Sequence, residues 1–97
     1  MAYDPGAIDA TLAAAVGDEP ALIAELREAF VDSAYRAVKS MESSVAPSDW
    51  RAAALRLKGL AASFGAVRLL AIATEASESL PHAPQMLQRV RRAVERI

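Results

Sequence analysis

The chain has 97 residues, 54% of them hydrophobic and 24% charged, with a formal net charge of −1. That balance excludes a disordered chain and offers no electrostatic reason for binding nucleic acid or an anionic membrane. Cysteine is absent, which excludes a disulfide framework and thiolate chemistry and suits a reducing cytoplasm.

The opening MAYDPGAID has no basic segment followed by an apolar run, so it is not read as a signal peptide. Asp4-Pro5 is a cap followed by a proline suited to a first helical turn, and Ile8, Leu12 and Val16 then fall on one face. Gly17 closes this short helix, and Asp18-Glu19-Pro20 opens a long one. Its apolar positions, Ile23, Leu26, Phe30, Ala34, Val38, Met41 and Val45, are spaced by three or four until Pro47 ends the run. Ser48 is the expected cap of a third helix, with Asp49 in its first turn where the dipole favours it. That helix should run to about Phe64, with a break or bend at Gly65. The weakly charged stretch from Gly59 to Thr74 is interrupted by Ser63, Gly65 and Arg68, and it falls short of the roughly 20 apolar residues that a membrane span needs.

A fourth helix carries Leu69, Leu70, Ala73, Ala76 and Leu80 up to Pro81, and a fifth carries Met86, Leu87, Val90, Val94 and Ile97. No alternating β pattern, internal repeat or low-complexity linker interrupts the series. Short links make consecutive helices pack antiparallel. The expectation is an all-α fold, an antiparallel up-down four-helix bundle with a short extra N-terminal helix, in a single domain spanning residues 1–97.

Phase singles out one face of the third helix. Trp50, Ala54, Leu57, Ala61 and Phe64 point into the bundle, whereas Leu55 lies roughly 200° from Leu57 at about 100° per residue. Around Leu55 one turn away stand Arg51, Ala52, Lys58 and Gly59, with Ala62 beyond. Gly59 costs roughly 0.5–1 kcal/mol relative to alanine inside a helix, and no turn there requires it. Close approach of another molecule or helix is one reason for such a glycine.

The stretch Leu55-Arg-Leu-Lys-Gly-Leu-Ala-Ala-Ser-Phe-Gly-Ala66 resembles the signature of histidine-containing phosphotransfer (HPt) domains, His-x-Leu-Lys-Gly-x-Ser followed after three residues by Gly-Ala. Leu57, Lys58, Gly59, Gly65 and Ala66 fall into register. The likeness covers essentially the whole chain, because the family too has a short first helix, a long second one with a central Phe, and two helices closing the bundle. The resemblance implies that Lys58 is the cation that steadies a phosphorylated imidazole, that Gly59 leaves room for a docking receiver, and that the Ser position supports the site from beneath. The chain departs from the pattern twice: Leu55 stands in place of the phosphoryl-accepting His, and Ala61 in place of the Ser. Leucine has no nucleophilic or proton-accepting atom, so no catalytic residue remains.

The expected function is therefore a non-phosphorylatable member of phosphorelay signalling that docks a response-regulator receiver domain or a histidine kinase and modulates phosphotransfer. Arg51, Ala52, Leu55, Arg56, Lys58, Gly59 and Ala62 would form the docking face, with the three cations rimming an apolar centre and facing a receiver's acidic pocket. Burying Leu55 contributes on the order of 1.5–3 kcal/mol before ordering costs. Two alternatives stay open: a genuine phosphotransfer protein whose His has been altered, and a structural module, monomeric or self-associating through the Leu55 face.

Other chemistry is poorly supported. His82, the only histidine, belongs to a link at a bundle end and suits a helix cap or a solvated loop. One histidine without cysteine gives no metal set, and no cofactor is implied. Arg89, Arg92 and Arg96 share a face that lacks aromatic interleaving, and Glu95 is spaced to pair with Arg91 or Arg92, so a solvated face rather than a nucleic-acid site is expected.

Overall fold

A computed structural model describes residues 5–17 and 19–97. All regular structure among them is helical: α1 (Pro5–Val16), α2 (Pro20–Ser43), α3 (Pro47–Phe64), α4 (Val67–Ser77) and α5 (Met86–Glu95). The expected cap Asp4, Asp18 at the opening of the second helix, and the side chain of Val16 lie outside the described residues.

Packing follows the chain. α2 lies against α3, α3 against α4, and α4 against α5, while α5 returns to α2; α1 covers parts of α2 and α3. The four longer-range partners thus form a closed ring around one core, within extents of 42 × 24 × 16 Å. Phe30, Met41, Trp50, Leu57, Leu69, Val90 and Val94 are its largest fully buried side chains, and Ile8 and Leu12 of α1 complete it. Phe30 of α2 stacks on Phe64 of α3 with ring centroids 4.6 Å apart, so the long helix and the central one are registered by an aromatic pair. No helix among the described residues is long and apolar enough to cross a membrane.

Four helix ends differ from their expected places, the last being that of α5, which closes at Glu95 and leaves Ile97 beyond it. α2 stops at Ser43, not before Pro47, because both the amide and the hydroxyl of Ser44 donate to the Met41 carbonyl, at 3.2 and 2.7 Å. That local bond competes with continuing the helix, and Val45 is left 90% exposed rather than in the apolar stripe. Pro47 is the first residue of α3 rather than a terminator, and extended Ala46 holds the N-cap position without a side-chain cap. Ser48 is therefore inside the first turn and does not cap. A proline disfavours helical backbone in the residue before it and needs no amide at a first position, which explains both assignments. α4 stops at Ser77, short of Leu80. The hydroxyls of Ser77 and Ser79 donate to the Thr74 and Ala76 carbonyls at 2.7 and 2.9 Å, and Leu80 is 79% exposed instead of in the core.

Gly65 ends α3 as expected. Its φ of 71° is left-handed, its amide donates to Ala62, and the Ala66 amide reaches back to the Ala61 carbonyl at 2.9 Å. This arrangement satisfies the last carbonyls of the helix and is cheap only for glycine.

The end of the bundle near the α2–α3 link is tied together by Trp50. Its indole Nε1 donates to the Ala76 carbonyl of α4 at 2.8 Å, and its ring meets the His82 ring at 5.2 Å. His82 in turn donates from Nε2 to the Ser44 carbonyl at 2.9 Å. The histidine is exposed, as expected of a link residue, but it is not free of the bundle. It fastens the α4–α5 link to the C-terminal end of α2.

The arginines of α5 are likewise partly engaged. Arg89 grips Glu75 of α4 through two parallel bonds of 3.0 and 2.8 Å, and this donation holds the Glu75 carboxyl below its ordinary range while raising Arg89. Arg91 pairs with Glu42 of α2, not with Glu95 on its own helix.

Candidate functional site

The outer face of α3 carries the residues that the sequence singled out. Trp50, Ala53, Ala54, Leu57 and Ala61 are buried, and the opposite side is thereby turned to solvent. Arg51, Ala52, Leu55, Arg56, Gly59 and Ala62 are exposed, and Lys58 is half-buried. Leu55 itself is 42% exposed, at a position where a large aliphatic side chain has no role in the core. Beneath this face, Ala61 is fully buried, at the position where the resemblance places a supporting serine. Phe64, expected inside, is half-buried at the end of the helix.

Gly59 is not there to let another helix of this chain come close. A Cβ built on it would meet nothing within 4 Å. The glycine therefore leaves a smooth, open step in the surface one turn from Leu55 while weakening the helix. Replacing it by alanine should raise the unfolding free energy by about 0.5–1 kcal/mol in urea denaturation; a loss of stability would mean that a neighbour occupies the space.

The charges around Leu55 are available. The side chains of Arg51, Arg56 and Lys58 make no ion pair or hydrogen bond with other described residues. The face thus presents an apolar centre with three cations around it, and no side chain at position 55 that can accept or donate a proton. Leu55 itself has no atom that could carry a phosphoryl group. No group of three metal-ligating side chains occurs among the described residues.

One part of the site was not legible in the sequence. A polar slot of about 290 Å³ runs along the boundary of α2 and α3 and is lined by Ser40, Ser43, Ser44, Asp49, Ala52, Ala53 and Arg56. It shares Ala52 and Arg56 with the face around Leu55. Ser40 and Ser43 donate to carbonyls one turn back, at 3.1 Å each, and Ser44 to Met41, so the three hydroxyl oxygens keep acceptor capacity. The serine cluster was visible as composition. That it opposes Asp49 and Arg56 follows only from the pairing of two helices.

The chain matches no protein-family model, no curated protein and no solved structure in comparisons with each.

Proposed function

We propose that this chain is a degenerate phosphotransfer-type module, an HPt-like antiparallel four-helix bundle acting in the cytoplasm. It docks a receiver domain or the helical bundle of a histidine kinase through α3 and competes there with a functional phosphotransfer partner. The observation that carries the reading is Leu55: a half-exposed leucine on the outer face of α3, in register with Leu57, Lys58, Gly59, Gly65 and Ala66 of the resembled motif. Substitution of the phosphoryl-accepting imidazole by an isobutyl group removes chemistry and keeps, or strengthens, adhesion. Three cations without a partner among the described residues, around an apolar centre, suit the acidic pocket of a receiver, where they speed encounter and orient the partner more than they add affinity.

The test is a titration of the whole chain against receiver and kinase domains of its source cell. The wild type should bind one of them with micromolar affinity, Leu55→Glu should weaken that binding at least tenfold, and Leu80→Glu, on an exposed residue off this face, should leave it unchanged. Circular dichroism checks that each variant keeps its helices. Absence of binding by the folded wild type to any of these domains overturns the reading.

A further inference from the structure

We propose that α3 is also a homodimer interface, in which two copies pack their third helices antiparallel about a two-fold axis at the level of Ala52 and Ala53. The polar slot carries two opposite charges, Asp49 and Arg56, and neither side chain pairs with the other or with another described residue. They stand seven positions apart, two helical turns, on the same side of α3, with Ala52 and Ala53 between them. A two-fold contact is isologous: what residue i of one copy does to residue j of the other, j does to i. An axis midway between positions 49 and 56 therefore sets Arg56 of each copy against Asp49 of its mate. Each charge that has no partner among the described residues of the monomer gains one in the dimer, which holds two such pairs, and no other partner has to be invoked to supply the complementary pattern.

The surface between and beside these charges permits the approach. Ala52 is exposed, and Gly59 leaves open space where a side chain would stand, so two helix backbones can come close along this line. Leu55, 42% exposed on the flank, gains apolar cover from the mate. One helix face and its margins bury less than a stable dimer usually needs, so association should be weak and concentration-dependent. Because Ala52, Leu55 and Arg56 also belong to the docking face, self-association and binding of a signalling partner exclude each other. The dimer would then be a store from which dilution or a partner releases the active monomer. The dimer is inferred from the two charges without partners among the described residues, whereas its use as a store rests on the signalling role.

Sedimentation of the whole chain from about 10 μM to 1 mM tests it, with circular dichroism as the control for folding. The wild type should shift from monomer to dimer across this range. Asp49→Arg and Arg56→Asp should each weaken dimerisation about tenfold or more by turning two attractions into two repulsions. The double variant, with the charges exchanged, should recover dimerisation to within about threefold of the wild type. A wild type that stays monomeric at 1 mM overturns the proposal. So does a dimer that survives both single reversals, or one that the exchange fails to restore. Sedimentation of the isolated chain reads nothing about receiver binding, so its failure and that of the signalling role are distinguishable.

Discussion

Trp50→Ala should lower the unfolding free energy by about 3–5 kcal/mol, the range for deleting a buried aromatic side chain. Trp50 is fully buried, so truncation leaves a cavity at the junction of α3, α4 and the two links that close this end of the bundle. The same change removes the indole's bond to the Ala76 carbonyl, which keeps the Ser79 hydroxyl and amide as donors, and strips the His82 ring of its apolar support. A single domain has about 5–15 kcal/mol in total, so the variant should sit near its unfolding midpoint at modest denaturant concentrations. Trp50 is the only tryptophan, which removes the fluorescent probe along with the side chain. Helical circular dichroism in urea is therefore the measurement. Trp50→Phe separates the causes, since it restores most of the packing and removes one hydrogen bond to a carbonyl that Ser79 still satisfies, a cost of about 0.5–1.5 kcal/mol. A loss below about 1 kcal/mol for the alanine variant would mean that the indole is not the anchor of this end.

Leu55→His should make this face accept a phosphoryl group. The substitution places an imidazole on an exposed site near Lys58, with the cations Arg51 and Arg56 on the same face. The imidazole supplies the nucleophilic nitrogen that leucine lacks at this position. The expected result is label transferred from a phosphorylated receiver to the variant, in a bond labile to acid and stable to base, with none on the wild type. The second variant, Leu55→His with Ala61→Ser, adds a hydroxyl at a fully buried position. There it can donate to the carbonyl four residues back, as serines do within helices, and transfer should be at least as efficient. The native histidine, His82, is held against Trp50 and the Ser44 carbonyl, at a different part of the fold from Leu55. Labelling of the wild type would therefore point to His82 and sink the premise of a silent module. An unlabelled Leu55→His, mixed with a receiver that binds it, would show that the motif's likeness does not extend to its chemistry.

By itself the sequence determined the helical class, the number of helices and the orientation of the third one. These are local properties. Apolar residues three and four apart can only be buried together on a helix, and Gly65 can only be cheap where the backbone turns left-handed, as it does at φ 71°. The exposure of Leu55 and Gly59 followed from phase alone, because Trp50, Leu57 and Ala61 already claim the inner side of α3. The helix ends at Ser43 and Ser77 were less legible, since a serine hydroxyl can close a helix or extend past it unnoticed, and Val45 and Leu80 continue the apolar spacing without being buried.

Tertiary structure alone decided which distant groups meet. His82 and Ser44 are 38 positions apart, and Trp50 and Ala76 are 26 apart. Nothing in either neighbourhood encodes the other, because such contacts exist only once the helices have packed and brought their links to the same end. Arg91 shows the same point for charge. Spacing offered it Glu95 on its own helix, but the packing of α5 on α2 supplies Glu42, a partner that needs no turn of the same helix to reach it. The slot joining Ser40 and Ser43 to Asp49 and Arg56 belongs to this second kind. Each of its residues is ordinary on its own helix, and only the alignment of α2 with α3 sets the serines of one beside Asp49 and Arg56 of the other.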